Sequence, residues 1–441
     1  MTTYGSIPFQ SVIFDEDGKL KEARPSPPDV TDLIIISHGW NNDADEATGL
    51  YEELLTNLSS SLEAAGGPNG RTFAAIGVYW PSKKFDFDGR GQPPSGYDNK
   101  EAAKGGVENG VMRAASANSI ASPVVDNAMK QLSALYNKPA DQGKLSAIQA
   151  LVESRKLDDN HAGVLLVGAL RDLLAGVEQS ELDGSKAFFN KDKGLLYEKA
   201  QQPIDRTLKT VGAGGDGDRI VAKSIGNVLN KIESGFANLL NVGSYYTMKE
   251  RASIVGAAGL APCIDHWAEA LSLKRVHLIG HSFGARLVTA AAMGTQTGKL
   301  STMSLLQAAF SHNGFAVGKI TGYFRDVVSA KRIKGPIMVT FSTHDSAVGT
   351  AYAIASRLSG TNSKAIDGGP NDQFGGLGAN GALHMQEGES ASLQMLANGQ
   401  PYTLSPGVFH NLESSRFIAS HGNVRDVNVA WAIASALHAA P

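Results

Sequence analysis

One stretch of the chain, HLIGHSFGARLV at His277–Val288, places a serine where it could act as a nucleophile. Ser282 is the centre of a Gly-x-Ser-x-Gly pattern that runs from Gly280 to Gly284. The pattern alone is weak, because 49 glycines in 441 residues produce about half a match by chance. Catalysis by a serine hydroxyl also requires a base and a carboxylate that orients the base. The surrounding elements therefore decide what Ser282 does.

The residues on either side of Ser282 predict a strand, a sharp turn and a helix. Lys274–Gly280 contains an apolar run of strand length, and Gly284–Met293 has the composition of a helix that begins with small residues. A nucleophilic serine on a strained turn requires this order, and glycine at both flanks lets the strand and the helix approach closely. The sequence therefore predicts that Ser282 is a catalytic nucleophile rather than part of an ordinary strand–helix turn.

For a serine on such a turn, the carboxylate and the base are expected downstream, in the order Ser, then Asp or Glu, then His. Asp345 comes directly after the predicted strand Gly335–Thr343, which would hold it at the edge of the sheet. The alternative for Asp345 is that it only caps the following helix. His421 is the predicted base, because it lies in a short loop between a predicted strand and the last helix. The acids and histidines without such a position are Asp326, Asp367, Asp372, His384, His410 and His438.

Stabilisation of an oxyanion requires two backbone N–H groups. The first is predicted to come from Phe283, the residue after the nucleophile. The second is predicted to come from Trp40, with Asn41 as the less favoured donor, because HGW lies at the end of an early predicted strand. The residues expected to support this site without performing chemistry are His38, Gly39, Gly280, His281 and Gly284.

GHSFG, the Asp and His that follow it, and HGW together resemble the serine α/β-hydrolases. The resemblance is to lipase- and carboxylesterase-like members, including bacterial ones without an assigned substrate, and it covers about 31–81 and 260–440. It implies an α/β-hydrolase fold with a mostly parallel sheet flanked by helices. The chain departs from the commonest pattern in one respect, because its large insertion precedes the nucleophile strand instead of following the strand after the nucleophile helix.

Hydrophobic patterning divides the chain into three parts. Residues 1–82 and 259–441 are predicted to form the two halves of the α/β core, and 83–258 a mainly helical insertion or cap. The elements predicted for the first half are a hairpin at Ser11–Ala23, strands at Asp32–Trp40 and Thr72–Trp80, and a helix at Asp43–Ala65. The elements predicted for the second half are strands at Lys274–Gly280, Ser304–Phe310, Gly335–Thr343 and Gly407–Phe417, and a last helix at Val424–His438. Residues 360–400 are predicted to be irregular.

Composition narrows the class of protein. Apolar residues make up 42% of the chain and charged residues 19%, as in a typical soluble globular protein. The net charge of −3 gives no reason to expect a nucleic-acid partner. The single cysteine, Cys263, excludes an internal disulfide and a multi-cysteine zinc site. Neither a secretory signal nor an apolar run long enough to span a membrane is visible, so the sequence predicts a cytoplasmic protein of undetermined oligomeric state.

Two glycine-containing motifs are interpreted as loops. Asp15–Gly18 resembles the start of an EF-hand loop, but the twelfth position is Ser26 instead of Glu. Gly212, Gly214 and Gly217 have the spacing of a dinucleotide-binding loop without a strand before them. The sequence therefore predicts no metal and no cofactor.

The sequence predicts a serine hydrolase that cleaves small-molecule or lipid carboxylic esters through an acyl-enzyme on Ser282. Two alternatives stay open. One is a hydrolase-fold protein that uses the insertion as a binding surface for a partner, and the other is an acyltransferase or thioesterase with the same triad. Tyr245 and Tyr246 are candidates for the wall of an acyl pocket, although such aromatic pairs are more often core residues.

Overall fold

The computed structural model describes residues 2–40, 42–67, 69–82, 123–136, 138–154, 160–201, 226–319, 321–345, 348, 358 and 369–441. These residues form an α/β structure in which helices flank a mostly parallel sheet. The nine described strands are β1 (Thr2–Tyr4), β2 (Ile7–Ile13), β3 (Asp32–Ser37), β4 (Phe73–Tyr79), β5 (Arg275–His281), β6 (Leu300–Leu306), β7 (Ile337–Phe341), β8 (Ser390–Gln394) and β9 (Phe409–Glu413).

The strands lie in the order β1-β2-β4-β3-β5-β6-β7-β9-β8. Only β1 runs antiparallel to its neighbour, and all other pairs among the described strands are parallel. β3 and β5 pair in register from Asp32 with Arg275 to Ser37 with Gly280, in the middle of the sheet. The HGW segment after β3 and the GHSFG segment at the end of β5 therefore lie on neighbouring strands.

The packing of β3 explains why the sequences of the central strands are continuous apolar runs. Alternate side chains of a strand point to opposite faces, and both faces of this sheet are covered. Leu33 and Ile35 pack into the hydrophobic cluster on one face, and Ile34 and Ile36 pack into the cluster on the other. The four isoleucine and leucine side chains are at most 1% exposed.

The helices of the described residues are α1 (Ala44–Ala64), α2 (Pro123–Leu135), α3 (Pro139–Ser154), α4 (Asn160–Leu173), α5 (Ser185–Asn190), α6 (Lys193–Ala200), α7 (Gly226–Ile254), α8 (Ala261–Ala270), α9 (Phe283–Gly294), α10 (Arg325–Ser329), α11 (Leu377–Asn380) and α12 (Val427–His438). α1 and α12 pack together on one face of the sheet. The helices from α2 to α9 contribute to the cluster on the other face. Asp43 caps α1 in a capping box with Glu46, which confirms the predicted start of that helix.

α7 connects the helices of 123–201 to the sheet. It continues through a π-helical turn, Val255–Leu260, into α8. A Cβ added at Gly256 would lie 2.2 Å from the Leu287 carbonyl oxygen, so this glycine lets the turn approach α9 closely. The described helices between 123 and 254 share one hydrophobic cluster with β5 and α9. The predicted division at 83 and 258 stays a prediction.

Three sequence expectations need correction. β6 begins and ends four residues earlier than the predicted strand Ser304–Phe310, because buried polar residues such as Ser301 and Thr302 weaken the apolar signal at its start. The predicted hairpin at Ser11–Ala23 is reduced to a single bridge between Phe14 and Leu20, since β2 pairs with β1 and β4. β8 and α11 lie within 360–400, which was predicted to be irregular; β8 gives little signal because it is a short edge strand without a buried residue.

The predicted glycine loop at 212–217 lies outside the described residues. No helix in the part of the chain that the structure describes is both long enough and apolar enough to cross a membrane.

A charged network fixes the amino end of β3, at the edge opposite the carboxyl ends of the strands. The buried Asp32 carboxylate receives hydrogen bonds from Arg71 Nε (3.0 Å) and His277 Nε2 (2.9 Å). Arg71 also donates to the carbonyl of Leu437 in α12. Burial alone would raise the pKa of Asp32, but the hydrogen bonds from His277 and Arg71 outweigh it and hold the pKa well below its usual range.

We expect Asp32→Asn to lower the free energy of unfolding by about 3 kcal/mol at pH 7, because it leaves a mostly buried guanidinium without its carboxylate. A carboxyl group with a lowered folded-state pKa stabilises the protein above its unfolded pKa, so the difference from wild type should shrink as the pH falls below about 4. Urea denaturation at several pH values measures both effects.

The matched control is Asp17→Asn, which breaks an ion pair to Lys138 whose side chains are about half exposed. Its effect should stay below about 1 kcal/mol, because exposed pairs are screened by solvent. Equal losses for the two variants would contradict this account of the network.

Candidate active site

The predicted site residues follow the carboxyl ends of parallel strands. Ser282 directly follows β5, Asp345 comes four residues after β7, and His421 comes eight residues after β9. Because these strands are parallel, their carboxyl ends meet at one edge of the sheet. This edge therefore brings together side chains that are far apart in the sequence.

Ser282 occupies a strained turn between β5 and α9. Its φ of 56° and ψ of −123° lie in a region that L-residues rarely adopt. Three backbone hydrogen bonds hold the turn. Ser282 N–H donates to the Leu306 carbonyl (3.0 Å), and the Ser282 carbonyl accepts from Ala285 N–H and Ala309 N–H (3.1 Å each). The end of β6 thus fixes the turn in place.

Three glycines lie so close to neighbouring atoms of this turn that a side chain at any of them would collide with those atoms. A Cβ at Gly280 would lie 2.5 Å from the Ala285 Cα, and one at Gly284 would lie 2.3 Å from the Ser37 carbonyl oxygen. A Cβ at Gly39 would lie 2.5 Å from the Ser282 Cβ. The loop after β3 therefore contacts the serine side chain directly.

His421 and Asp345 form the predicted pair. His421 Nδ1 lies 3.0 Å from Oδ1 and 2.9 Å from Oδ2 of Asp345, whose side chain is fully buried. Because both carboxylate oxygens are acceptors, Nδ1 carries the hydrogen, which leaves Nε2 of a neutral ring as the basic atom. Asp345 Oδ1 also accepts from Val348 N–H (3.0 Å), so the acid caps the following backbone as well as contacting the histidine.

His281 connects His421 to the Ser282 turn. Its Nε2–H donates to the His421 carbonyl (2.9 Å), and the two ring centroids are 4.9 Å apart. Burial, together with the nearby His421, lowers the pKa of His281 to about 3. A neutral His281 beside Ser282 thus holds the loop that carries His421.

His38 shapes the loop that passes Ser282. Its Nδ1–H donates to the Gly39 carbonyl (2.9 Å), its ring stacks on Trp80, and burial lowers its pKa to about 4. In a trans peptide the N–H points opposite to the carbonyl, so the N–H of Trp40 is directed away from His38. This is the donor that the sequence predicts for the oxyanion, and Asn41 lies outside the described residues.

Phe283 is the first residue of α9, so its N–H has no acceptor within the helix. Its ring is 6.0 Å from that of Trp40 and 5.4 Å from that of Tyr245 in α7. Trp40, Phe283 and Tyr245 form an aromatic cluster beside the turn. Tyr246 instead packs against Phe188 and is 1% exposed, as a core residue would be.

One residue of the candidate site is not among those predicted from the sequence. Gln307 is the first residue after β6, and its Nε2 donates to Asp345 Oδ2 (3.0 Å). The predicted strand Ser304–Phe310 ended four residues too late, so Gln307 was placed inside the strand instead of directly after it. With the correct bounds of β6, the position of a glutamine directly after a strand would have been the available signal.

The other candidate histidines lie elsewhere. His410 is in β9 and contacts Ser405, His384 contacts Asn313, and His438 ends α12. Within the described residues, no group of three or more His, Cys, Asp or Glu side chains is arranged to hold a metal ion.

We expect Gly284→Ala to lower the free energy of unfolding by roughly 3 kcal/mol, because the new methyl group would collide with the backbone of β3. Gly143→Ala in α3 is the control, since no atom lies within 4 Å of its added Cβ. This control should change the stability by at most about 1 kcal/mol, in the stabilising direction. Urea denaturation measures both, and a stable Gly284→Ala protein would contradict the close approach.

Acid should destabilise the protein through its buried imidazoles. Burial lowers the pKa values of His38 and His312 to about 4 and that of His281 to about 3. Below pH 6.5 these three histidines bind protons in the unfolded chain but stay neutral in the folded one. The free energy of unfolding therefore decreases as the pH falls towards 4. Each group should contribute about 1.4 kcal/mol per pH unit in this window.

Urea denaturation between pH 7.5 and 4.5 tests this dependence. Replacing His312 by Gln should reduce the part of the slope due to these three groups by about one third. A free energy of unfolding that stays constant from pH 6.5 to 4.5 would show that the imidazoles are not buried in the neutral form.

Comparison of the chain with protein-family models, curated proteins and solved structures finds no match. The feature of this chain that points to a function is therefore the position of Ser282, His421 and Asp345 at one edge of the sheet.

Proposed function

We propose that the protein is a serine hydrolase of carboxylic esters, built on an α/β-hydrolase fold, that acts through an acyl-enzyme on Ser282. The observation that carries the proposal is the strained Ser282 turn at the same sheet edge as the His421–Asp345 pair. Strained backbone at a nucleophile is a recurrent feature of such sites. The chain order Ser, Asp, His and the parallel sheet are compatible with this fold.

The reaction begins when Ser282 Oγ attacks the ester carbonyl carbon. His421 Nε2 takes the hydroxyl proton, and the Asp345 carboxylate stabilises the imidazolium through Nδ1–H. The tetrahedral oxyanion accepts hydrogen bonds from the N–H groups of Phe283 and Trp40. Collapse of this intermediate breaks the bond to the alcohol, which leaves with the proton from His421.

Water completes the cycle. His421 takes a proton from the water molecule as its oxygen attacks the acyl carbon, and the second tetrahedral intermediate again places its oxyanion in the same N–H groups. Its collapse breaks the bond to Ser282 Oγ, which recovers the proton from His421. The products are one acid and one alcohol, and the enzyme returns to its starting state.

The surroundings of the turn support an apolar group on the substrate. The aromatic cluster of Trp40, Phe283 and Tyr245 contributes large apolar rings next to the predicted oxyanion donors. Small-molecule or lipid esters with an apolar acyl or alcohol part fit this environment better than highly charged substrates do. The helices of 123–254, proposed here as the insertion or cap, supply Tyr245 from α7.

A fluorophosphonate probe tests the proposal, because it forms a stable bond with an activated serine and releases fluoride. We expect the wild type to be labelled at Ser282 and Ser282→Ala to be unlabelled but folded. Ser304→Ala is the matched control, since Ser304 is a buried serine of β6 outside the proposed site. This variant should be labelled like the wild type.

The same proteins should be assayed with p-nitrophenyl esters of increasing acyl length. Activity that disappears in Ser282→Ala and persists in Ser304→Ala supports the proposal. A folded wild type that is not labelled, or labelling that survives Ser282→Ala, would overturn it.

A further inference from the structure

The position directly after β6 holds a neutral amide in contact with the proposed catalytic acid. We propose that Gln307 is a positioning residue, which fixes the Asp345 carboxylate so that it can orient His421. This inference rests on the proposed function. It adds a residue that neither contacts the reacting atoms nor belongs to the predicted triad.

The carboxylate of Asp345 has a defined set of donors. Oδ1 accepts from Val348 N–H and Oδ2 accepts from Gln307 Nε2–H, at 3.0 Å each. His421 Nδ1 faces both oxygens. Val348 N–H and Gln307 Nε2–H each donate to one oxygen. These two hydrogen bonds fix the plane of the carboxylate independently of His421. Without the Gln307 donor, only Val348 and His421 would hold the buried carboxylate among the described contacts.

The orientation of the Gln307 amide follows from its neighbours. Its nitrogen faces two acceptors, Asp345 Oδ2 and the Gly378 carbonyl (3.0 Å each). Its oxygen accepts from Thr340 Oγ1–H (2.9 Å). A flipped amide would place its oxygen against a carboxylate and a carbonyl, so only one orientation satisfies all partners. Both amide protons and the amide oxygen are therefore engaged.

The backbone of Gln307 is also held in an unusual conformation. Its φ is 43°, in the left-handed region, and its N–H donates to Thr340 Oγ1 (3.0 Å). The residue is fully buried. An added Cβ at Gly378 would lie 2.6 Å from the Gln307 carbonyl carbon, so the segment that contains α11 packs directly on this strained residue. Strain of this kind persists only where the surroundings enforce it.

A second buried amide separates positioning from simple anchoring. Asn411 in β9 accepts from Ala382 N–H (2.8 Å) and donates to the Ala382 carbonyl (3.0 Å). It thus anchors the same segment, 376–382, as Gln307 does through Gly378. None of the side-chain hydrogen bonds described for Asn411 reaches Asp345. Replacing Asn411 loosens the segment, whereas replacing Gln307 also releases the acid.

The test measures fluorophosphonate labelling of the full-length chain, with the maximal rate kinact separated from the affinity KI. In Gln307→Met, which keeps the length of the side chain but removes its donors, kinact should fall roughly 10- to 100-fold, because the base is no longer held in its productive geometry. KI should change by less than about threefold, since Gln307 does not contact the probe. Thr340→Val removes the partner of the amide oxygen and should lower kinact in the same direction by a smaller factor.

Asn411→Leu is the control, and it should lower the thermal stability while kinact stays within about twofold of wild type. Equal kinact values for Gln307→Met, Thr340→Val and wild type would overturn the inference alone, because the wild type would still be labelled. A fall in kinact that Asn411→Leu reproduces would also overturn it, since anchoring would then explain the effect. Failure of the wild type to react would overturn the proposed function and this inference with it.

Discussion

The close approach of backbone to backbone around Ser282 is the constraint on which the site depends. Gly284 lets α9 touch the end of β3, Gly280 lets β5 touch α9, and Gly39 lets the loop after β3 touch the Ser282 side chain. These contacts, with the hydrogen bonds from the end of β6, hold Ser282 in a conformation that an isolated chain would avoid. The sheet interior stabilises this strain, because β3 and β5 are buried on both faces.

The residues around Ser282 at this edge of the sheet are held in place by similar hydrogen bonds. At the ends of β3, β5 and β6, a polar side chain forms a hydrogen bond that holds a neighbouring residue. His38 turns the Gly39 carbonyl, His281 holds the His421 loop, and Gln307 holds Asp345. Two of these residues are neutral imidazoles with lowered pKa values, and the third is an amide. In the proposed mechanism, neutral hydrogen-bonding groups of this kind orient His421 and Asp345 without adding a charge that would compete with Asp345 for His421.

Much of this arrangement follows from local sequence. Apolar runs predict β3, β4, β5 and β7, and the structure places His421 and Asp345 in contact although 76 residues separate them. What local sequence does not predict depends on distant partners. The predicted bounds of β6 were wrong because the polar Thr302 is buried. Its hydrogen bond to His277 makes this burial possible, and a hydropathy pattern does not show such a bond. Gln307 was not predicted for a related reason, since its polar partners, Thr340, Asp345 and Gly378, are distant in the sequence.

The most direct test of the account is a crystal structure of the protein after reaction with a phosphonate. The account predicts a phosphorus bonded to Ser282 Oγ and a phosphoryl oxygen about 2.7–3.1 Å from the backbone nitrogens of Phe283 and Trp40. It also predicts that His421 stays in contact with Asp345. An adduct on another residue, or a phosphoryl oxygen directed away from both nitrogens, would contradict the claim that these strand ends form a hydrolytic site.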